Sequence, residues 1–469
     1  MIEHPPVADT YDEPTRDELV TFTVLCQPAS GIGLAEFRRQ LTLSSHDRAS
    51  LDALLPTEIT RARVMSQLQA RGFEVIELPG RVSNPVIFGR GSVERFEATF
   101  GGRLAKLTRH VSRNTHRHQT MTAVVFRPGT QPQSFDANEG VLLVTMSEPP
   151  LLAGPPTTKT RVKAPRELCL HLPAGVARAT KASRTHRRMT PGGELATGAG
   201  VAVALIDTGF ARHPFFTKRA YRITRIAAPD TQSPDVDDFE HGTAVLANLL
   251  ACAPDADVFA IKYGPRLDWA FACAMFIPNV RVISLSVVSK EPFALPDSML
   301  ALKLLIGKAV VEFGVTVISA TGEDDMGETF PPNMPTVISV GGVSVGVGAP
   351  QAWPRTASFQ SKIFPGRSAP DLCGVGSEIR QPIPPEVGTR FGWRCGDGGT
   401  SMAAPQVAGI AALLIQKNPS LTPDDVRQAL MGTSTDVRKG HSQTHAAGNG
   451  RDLATGAGLV NALKAWLSV

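Results

Sequence analysis

The sequence predicts an α/β protein, built on a doubly wound, mostly parallel sheet with helices on both faces and preceded by a smaller α+β domain. Two observations carry this. Residues 201–206, 258–262, 280–288, 315–320 and 337–343 are short continuous apolar runs, several of them separated by helical segments such as 243–252 and 298–313. Strands that are apolar on both faces and alternate with helices belong to a parallel sheet covered on both sides. Residues 20–146 instead mix short strands, such as 73–78, with amphipathic helices at 34–41 and 60–71. That is the texture of an α+β unit.

A proline-rich stretch over 148–165 separates the two textures and can neither pair as a strand nor wind as a helix. The expected division is therefore a flexible N-terminus at 1–19, an α+β domain at 20–147, a linker at 148–165 and the sheet domain at 166–469. At about 150 residues per domain, 469 residues suit this arrangement. With 42% apolar and 19% charged residues the chain has ample material for a core. The 48 Lys and Arg exceed the 43 Asp and Glu by too little to imply a nucleic acid partner.

No membrane segment is expected either, because the uncharged run 329–354 is broken by four glycines and five prolines. Residues 1–16 carry four acidic residues and three prolines rather than a basic start and an apolar core, so a cytoplasmic address is expected. There the six cysteines, Cys26, Cys169, Cys252, Cys273, Cys373 and Cys395, which form no CxxC pair, would be reduced and mostly buried. The histidines lack zinc spacing. Basic clusters at 109–118 and 178–188 read as solvated loops.

Sheets of this kind bind ligands beyond the carboxyl ends of their strands. Asp207 ends the run 201–206 and is followed by Thr208-Gly209, which turns the chain away from the sheet. His241, before Gly242-Thr243, opens an apolar helix. Ser401, after Gly398-Gly399-Thr400, begins a helix uncharged from 402 to 416, which must be buried and leaves free backbone NH groups at its start. Taken singly, these are an ordinary turn Asp, a structural His and a helix-capping Ser. Together they form a chemical unit. A serine hydroxyl becomes nucleophilic when a neutral imidazole takes its proton, and a buried carboxylate fixes the imidazole tautomer and offsets its charge.

These residues resemble the subtilisin-like serine peptidases. The likeness lies in the segment ending Ile206-Asp207-Thr208-Gly209, in His241-Gly242-Thr243 and in Gly399-Thr400-Ser401-Met402-Ala403-Ala404-Pro405, with weaker echoes at 330–341, 357–359, 369–371 and 456–461. It spans about 167–469. The resemblance implies a serine endopeptidase acting on peptide or protein substrates, with Ser401 as nucleophile, His241 as base then acid, and Asp207 as orienting carboxylate. It implies no required cofactor; structural calcium occurs in such folds, but the chain offers no assignable ligands. The N-terminal segments around Leu55-Pro56, 64–76 and 93–101 are similar to the activation prodomains of sedolisin-type peptidases. That likeness implies a ferredoxin-like prodomain that assists folding and blocks the cleft of a zymogen, its linker near the active site.

Two departures stand out against the family. Where an asparagine donates to the oxyanion, this chain has Glu323, with Asp324 as the counterpart if the register slips by one. An ionised carboxylate cannot donate and repels the developing charge, whereas a protonated one can donate, as the aspartate of sedolisin-type enzymes does. Losing one such donor typically costs about 100- to 1000-fold in turnover. By the resemblance the substrate would lie along Ser286, Val287 and Val288, with Gly322 also a substrate-binding residue, but Val288 and Ser289 replace two glycines common in the family, which predicts a shallow specificity pocket. The competing reading is a pseudoprotease or latent peptide-binding module.

Overall fold

The computed structural model describes residues 9–43, 47–78, 84–112, 119–130, 139–146, 169–290, 297–346, 348–385, 390–396, 398–443 and 445–469. The expected linker 148–165 lies wholly outside them, and so does its placement near the active site. In chain order the N-terminal unit contains β1 (Thr10–Asp12), β2 (Leu19–Cys26), α1 (Leu34–Leu43), α2 (Glu58–Ala70), β3 (Glu74–Ile76), β4 (Val86–Ser92), α3 (Val93–Phe100), β5 (Leu104–Ser112), β6 (Gln119–Phe126) and β7 (Val141–Thr145). Four strands pair antiparallel in the order β3-β4-β2-β7, the βαββαβ pattern of a ferredoxin-like unit, into which the β5–β6 hairpin is inserted. The expected flexible terminus needs correction, because Thr10, Tyr11 and Asp12 pair with Thr108, Leu107 and Lys106 of β5. An exposed strand edge offers unpaired NH and C=O groups, and this short segment satisfies them.

Alternation along β2 divides its side chains between two cores. Val20, Phe22, Val24 and Cys26 join Val64 and Leu68 of α2 and Phe96 and Phe100 of α3. Phe22 meets the rings of Phe73 and Phe96 edge-on at 5.2 Å. Thr57 and Ser92 begin these helices by accepting the amides of Thr60 and Arg95. On the opposite face, Leu25 with Phe88, Leu143 and Phe37 belongs to a core shared with the second unit.

That second unit holds β8 (Leu170–His171), β9 (Ala202–Asp207), β10 (Ile223–Ala227), α4 (Gly242–Cys252), β11 (Asp257–Lys262), α5 (Leu267–Met275), β12 (Val280–Leu285), α6 (Asp297–Val311), β13 (Thr316–Ala320), β14 (Ile338–Ser344), β15 (Gln351–Ala352), β16 (Leu372–Val375), β17 (Ile379–Ile383), β18 (Gly392–Gly396) and α7 (Thr400–Lys417). The main sheet runs β10-β11-β9-β12-β13-β14, with β16 and β15 both on β14, and all pairs are parallel except β14–β15. Val203 and Leu205 of the fully buried β9 pack with α4 and α7, whereas Ala204 and Ile206 pack with α5 and α6. This is the doubly wound sheet expected from sequence. One strand is shorter than expected: the apolar run continues to Val288, but β12 ends at Leu285 and residues 286–288 leave the sheet while staying buried.

The expectation of six reduced thiols is also corrected. Cys169 and Cys395 form a disulfide with Cα atoms 6.2 Å apart. Residues 226 positions apart meet because β8 and β18 flank β17 in a small separate sheet, a proximity that no spacing pattern reveals. Cys26, Cys252 and Cys373 are free and buried, and Cys273 is free and partly buried. Among the described residues no helix is long and apolar enough to cross a membrane.

The two units are joined by a buried ion pair. Arg266 and Asp268, almost wholly inaccessible, lie 3.1 Å apart at the start of α5. Arg266 donates to the carbonyls of Thr21 and Thr145 at 3.0 and 3.3 Å and to Thr23 Oγ1 at 2.6 Å. Thr23 in turn donates to Asp268 Oδ2 at 2.6 Å, and Trp269 Nε1 reaches Thr23 at 3.1 Å. Removing one member leaves an uncompensated buried charge, which costs about 3–5 kcal/mol, whereas replacing both with apolar residues is often neutral. Arg266→Ala is therefore expected to lower unfolding free energy in urea by about 3 kcal/mol or more, and Arg266→Met with Asp268→Leu by clearly less. Equal losses in the two variants would contradict a buried charged latch.

Candidate active site

Asp207 lies at the carboxyl end of the central strand β9, His241 immediately precedes α4, and Ser401 occupies the first turn of α7. The helices carrying His241 and Ser401 run side by side. Gln406 Nε2 bonds Asn248 Oδ1 at 3.0 Å, and a Cβ on Gly409 would press against the carbonyl of Leu249, so a glycine is needed for this approach. Because contacts advance in the same direction along both helices, their N-termini open on the same edge of the sheet.

Asp207 Oδ1 lies 2.7 Å from His241 Nδ1, with the carboxylate fully buried and the imidazole 15% exposed. The same oxygen accepts the amide of Thr208 at 2.8 Å, while Oδ2 has no hydrogen-bond partner among the described residues. Gly242 lets the helix start come this close, since a Cβ there would collide with the Gly209 carbonyl and touch Asp207. Burial alone would lower the pKa of His241, but the charge and hydrogen bond of Asp207, together with the charges of Asp237 and Glu323, raise it above 6.5.

Sequence reasoning missed Asp237. Its Oδ1 accepts Thr208 Oγ1 at 2.7 Å and the His241 amide at 3.3 Å, and its Oδ2 accepts the Thr243 amide at 2.9 Å. This buried carboxylate thus ties the turn after β9 to the start of α4. Burial raises its pKa, as does the Asp207 charge, against the lowering bonds from Thr243 and Thr208. The only sequence signal was an acid four residues before the histidine, outside the helix-capping position that His241 itself occupies.

Ser401 is nearly buried; its Oγ donates to the Ser286 carbonyl at 3.4 Å, and Ser286 Oγ donates back to the Ser401 carbonyl at 2.8 Å. Val287 is buried in the core shared by α5 and α6 and is therefore unavailable for a side-chain contact with a ligand. Gly322, at φ +87°, faces Val288, whose Cγ2 lies 3.1 Å from where a Cβ on Gly322 would sit. Val288 thus fills space that a glycine there would leave open.

Glu323 and Asp324 separate cleanly. Asp324 forms an ion pair with Arg355 at 2.8 Å, whereas Glu323 Oε1 accepts the Thr400 amide at 2.8 Å, beside Gly399, where any Cβ would collide with it. The carboxyl therefore caps the helix that presents Ser401. A helix N-terminus favours the anion, but here desolvation prevails. Burial, opposed by Arg355 and the Thr400 amide, aided by Asp324 and again opposed by His241, pushes its pKa up from 4.5 to about 7. Among the described residues no group of three or more His, Cys, Asp or Glu is arranged to hold a metal ion.

Residues 198–456 match the Subtilase family, more than half of the chain, and the chain belongs to that family. It is 30% identical over 266 residues to subtilisin E of Bacillus subtilis (strain 168), covering 51% of this chain and 61% of that protein. It is also 30% identical over 288 residues to M-protease of Shouchella clausii (strain KSM-K16), covering 57% and 64% respectively. The chain thus spans less than two thirds of the length of these relatives. Among solved structures, the MycP3 protease from the type VII (ESX-3) secretion system aligns over 68% of this chain and 97% of its own, with a TM-score of 0.48 and 20% identity.

The raised pKa of Glu323 has a consequence for stability. An unfolded glutamate loses its proton near 4.5 and the folded one near 7, so over that window the unfolded chain binds fewer protons and stability falls as pH rises. Relative to Glu323→Gln, which lacks this titration, the wild type is expected to lose about 3 kcal/mol of unfolding free energy between pH 4.5 and 7. Parallel stability curves for the two proteins across this window would contradict the buried placement of the carboxyl.

Proposed function

We propose that the chain is a serine endopeptidase that hydrolyses peptide bonds through an acyl-enzyme on Ser401. The observation that carries this reading is the 2.7 Å hydrogen bond between buried Asp207 and His241 Nδ1, at the same sheet edge as the N-terminus of the helix bearing Ser401. With Nδ1 committed to Asp207, the other ring nitrogen is the one able to take the Ser401 proton, and Asp207 offsets the imidazolium charge that follows. His241 then returns the proton to the leaving amine. The Ser401 amide and residue 323 form the oxyanion site of this reading.

Glu323 makes the site conditional. Below about pH 7 its protonated carboxyl can donate to an oxyanion, and above it the carboxylate repels one. His241, with its raised pKa, serves as base only in its neutral form, which low pH removes. The overlap is narrow, which favours slow or conditional proteolysis. The N-terminal unit, sharing its core with α5 and α6, would assist folding of the sheet domain and act as an intramolecular partner. The Cys169–Cys395 bond favours a compartment that maintains disulfides over the cytoplasmic one expected from the sequence.

A fluorophosphonate probe distinguishes this enzyme from a catalytically silent relative. The full chain is expected to be labelled, with labelling abolished in Ser401→Ala while the far-ultraviolet spectrum stays the same; an unlabelled, folded wild type would overturn the reading. Substrate choice follows from Val288, which crowds Gly322. Cleavage profiling of a peptide library is expected to show small residues before the cut, and Val288→Gly to admit large apolar ones. Broad cleavage after large apolar residues by the parent would count against a filled pocket.

A further inference from the structure

The small sheet β8-β17-β18 frames a cavity outside the catalytic cluster. It has a volume of about 230 Å3 and is lined by His171, Leu172, Arg219, Arg380 and Trp393. Its walls are fixed in place. Cys395, which bonds Cys169, lies opposite Arg380 in the β17–β18 pairing, and His171 pairs with Arg380 from the other side. His213 Nε2, 3.0 Å from the Gly392 carbonyl, and its ring, 5.2 Å from Trp393 and edge-on, anchor β18 to the turn after β9.

Both guanidinium groups are held against aromatic rings. That of Arg380 lies 5.5 Å from the centre of the Trp393 ring, and that of Arg219 lies 4.5 Å over Phe215 while donating to the Phe215 carbonyl at 3.0 Å. Neither is paired with a carboxylate among the described residues, although neighbouring arginines are: Arg394 with Glu240 and Arg212 with Asp235. Two pre-oriented forks of NH donors beside a tryptophan 38% exposed match a planar oxyanion carried on a peptide. Holding the side chains in place beforehand removes much of the ordering cost of binding.

The cavity is also close in chain to the reaction centre. β18 leads through residues 398 and 399 into the turn bearing Ser401, and the Arg394 partner, Glu240, adjoins His241. We propose that this cavity is an acidic-residue subsite, in which Arg219 and Arg380 receive the carboxylate of an Asp or Glu side chain of a peptide engaged at the active site. The proposal rests on the peptidase reading for its ligand class.

The test uses the full-length Ser401→Ala chain, immobilised and exposed to a randomised peptide library, with captured peptides read by mass spectrometry. A charge-assisted bidentate contact of about 1.5–3 kcal/mol predicts enrichment of acidic residues by roughly tenfold or more. Enrichment is expected to vanish in Arg219→Ala with Arg380→Ala, to persist in Arg212→Ala, and to fall when inorganic phosphate competes. No acidic enrichment, equal enrichment in the double variant, or binding of inorganic phosphate with no peptide preference would each overturn the proposal. Capture does not require hydrolysis, so failure of the peptidase reading would show separately, as a wild-type chain that the fluorophosphonate does not label.

Discussion

A carboxylate buried without water must be offset by hydrogen bonds and an opposite charge, and the arrangement around Asp207 is organised by that constraint. Its Oδ1 holds His241 Nδ1 and the Thr208 amide, Thr208 Oγ1 reaches Asp237, and Asp237 holds the amides of His241 and Thr243. The imidazole is thus gripped through its ring and through the backbone on which it stands. Glycine at 242 allows the approach. The central position of β9 then delivers the carboxylate to the edge of the sheet at the carboxyl ends of its parallel strands.

Different elements cover the two faces of that sheet. Helices α4 and α7, whose N-termini carry His241 and Ser401, lie on one face, while α5 and α6, which carry the N-terminal unit, lie on the other. The buried Arg266–Asp268 pair sits at the joint between units, so the N-terminal fold is wired by hydrogen bonds as well as packed by apolar contact. The helix starts bearing His241 and Ser401 are therefore on the opposite side of the sheet from the packing surface of the N-terminal unit. Glu323 is the point where opposing electrostatic preferences meet: the helix NH groups favour its charge, burial and Asp324 oppose it, and His241 responds to the outcome.

Much of this was legible in the sequence because its signals are local. Continuous apolar runs gave the parallel strands, and short motifs gave Asp207, His241 and Ser401, since glycines and strand ends mark sharp turns where side chains face a cleft; Glu323 stood out only through the family resemblance, as the residue in the place of an asparagine. What stayed hidden depends on distant residues. The Cys169–Cys395 bond needs β8 and β18 on either side of β17, and Asp237 acquires its role only when the turn after β9 folds against α4. The end of β12 at Leu285 was missed for a related reason: Val287 and Val288 are apolar because they are buried, and burial continues past the last strand hydrogen bonds. Choosing between Glu323 and Asp324 required seeing Arg355 take the second carboxylate.

The electrostatic coupling at the centre is measured most directly by following the imidazole of His241 with nuclear magnetic resonance in histidine-labelled protein, assigned through His241→Gln. The account predicts titration above pH 6.5 in the wild type and a shift downward in Glu323→Gln, where one of the charges supporting the imidazolium is gone. A His241 that titrates at or below 6.5, or that is indifferent to residue 323, would contradict the buried acid–imidazole arrangement on which the catalytic reading stands.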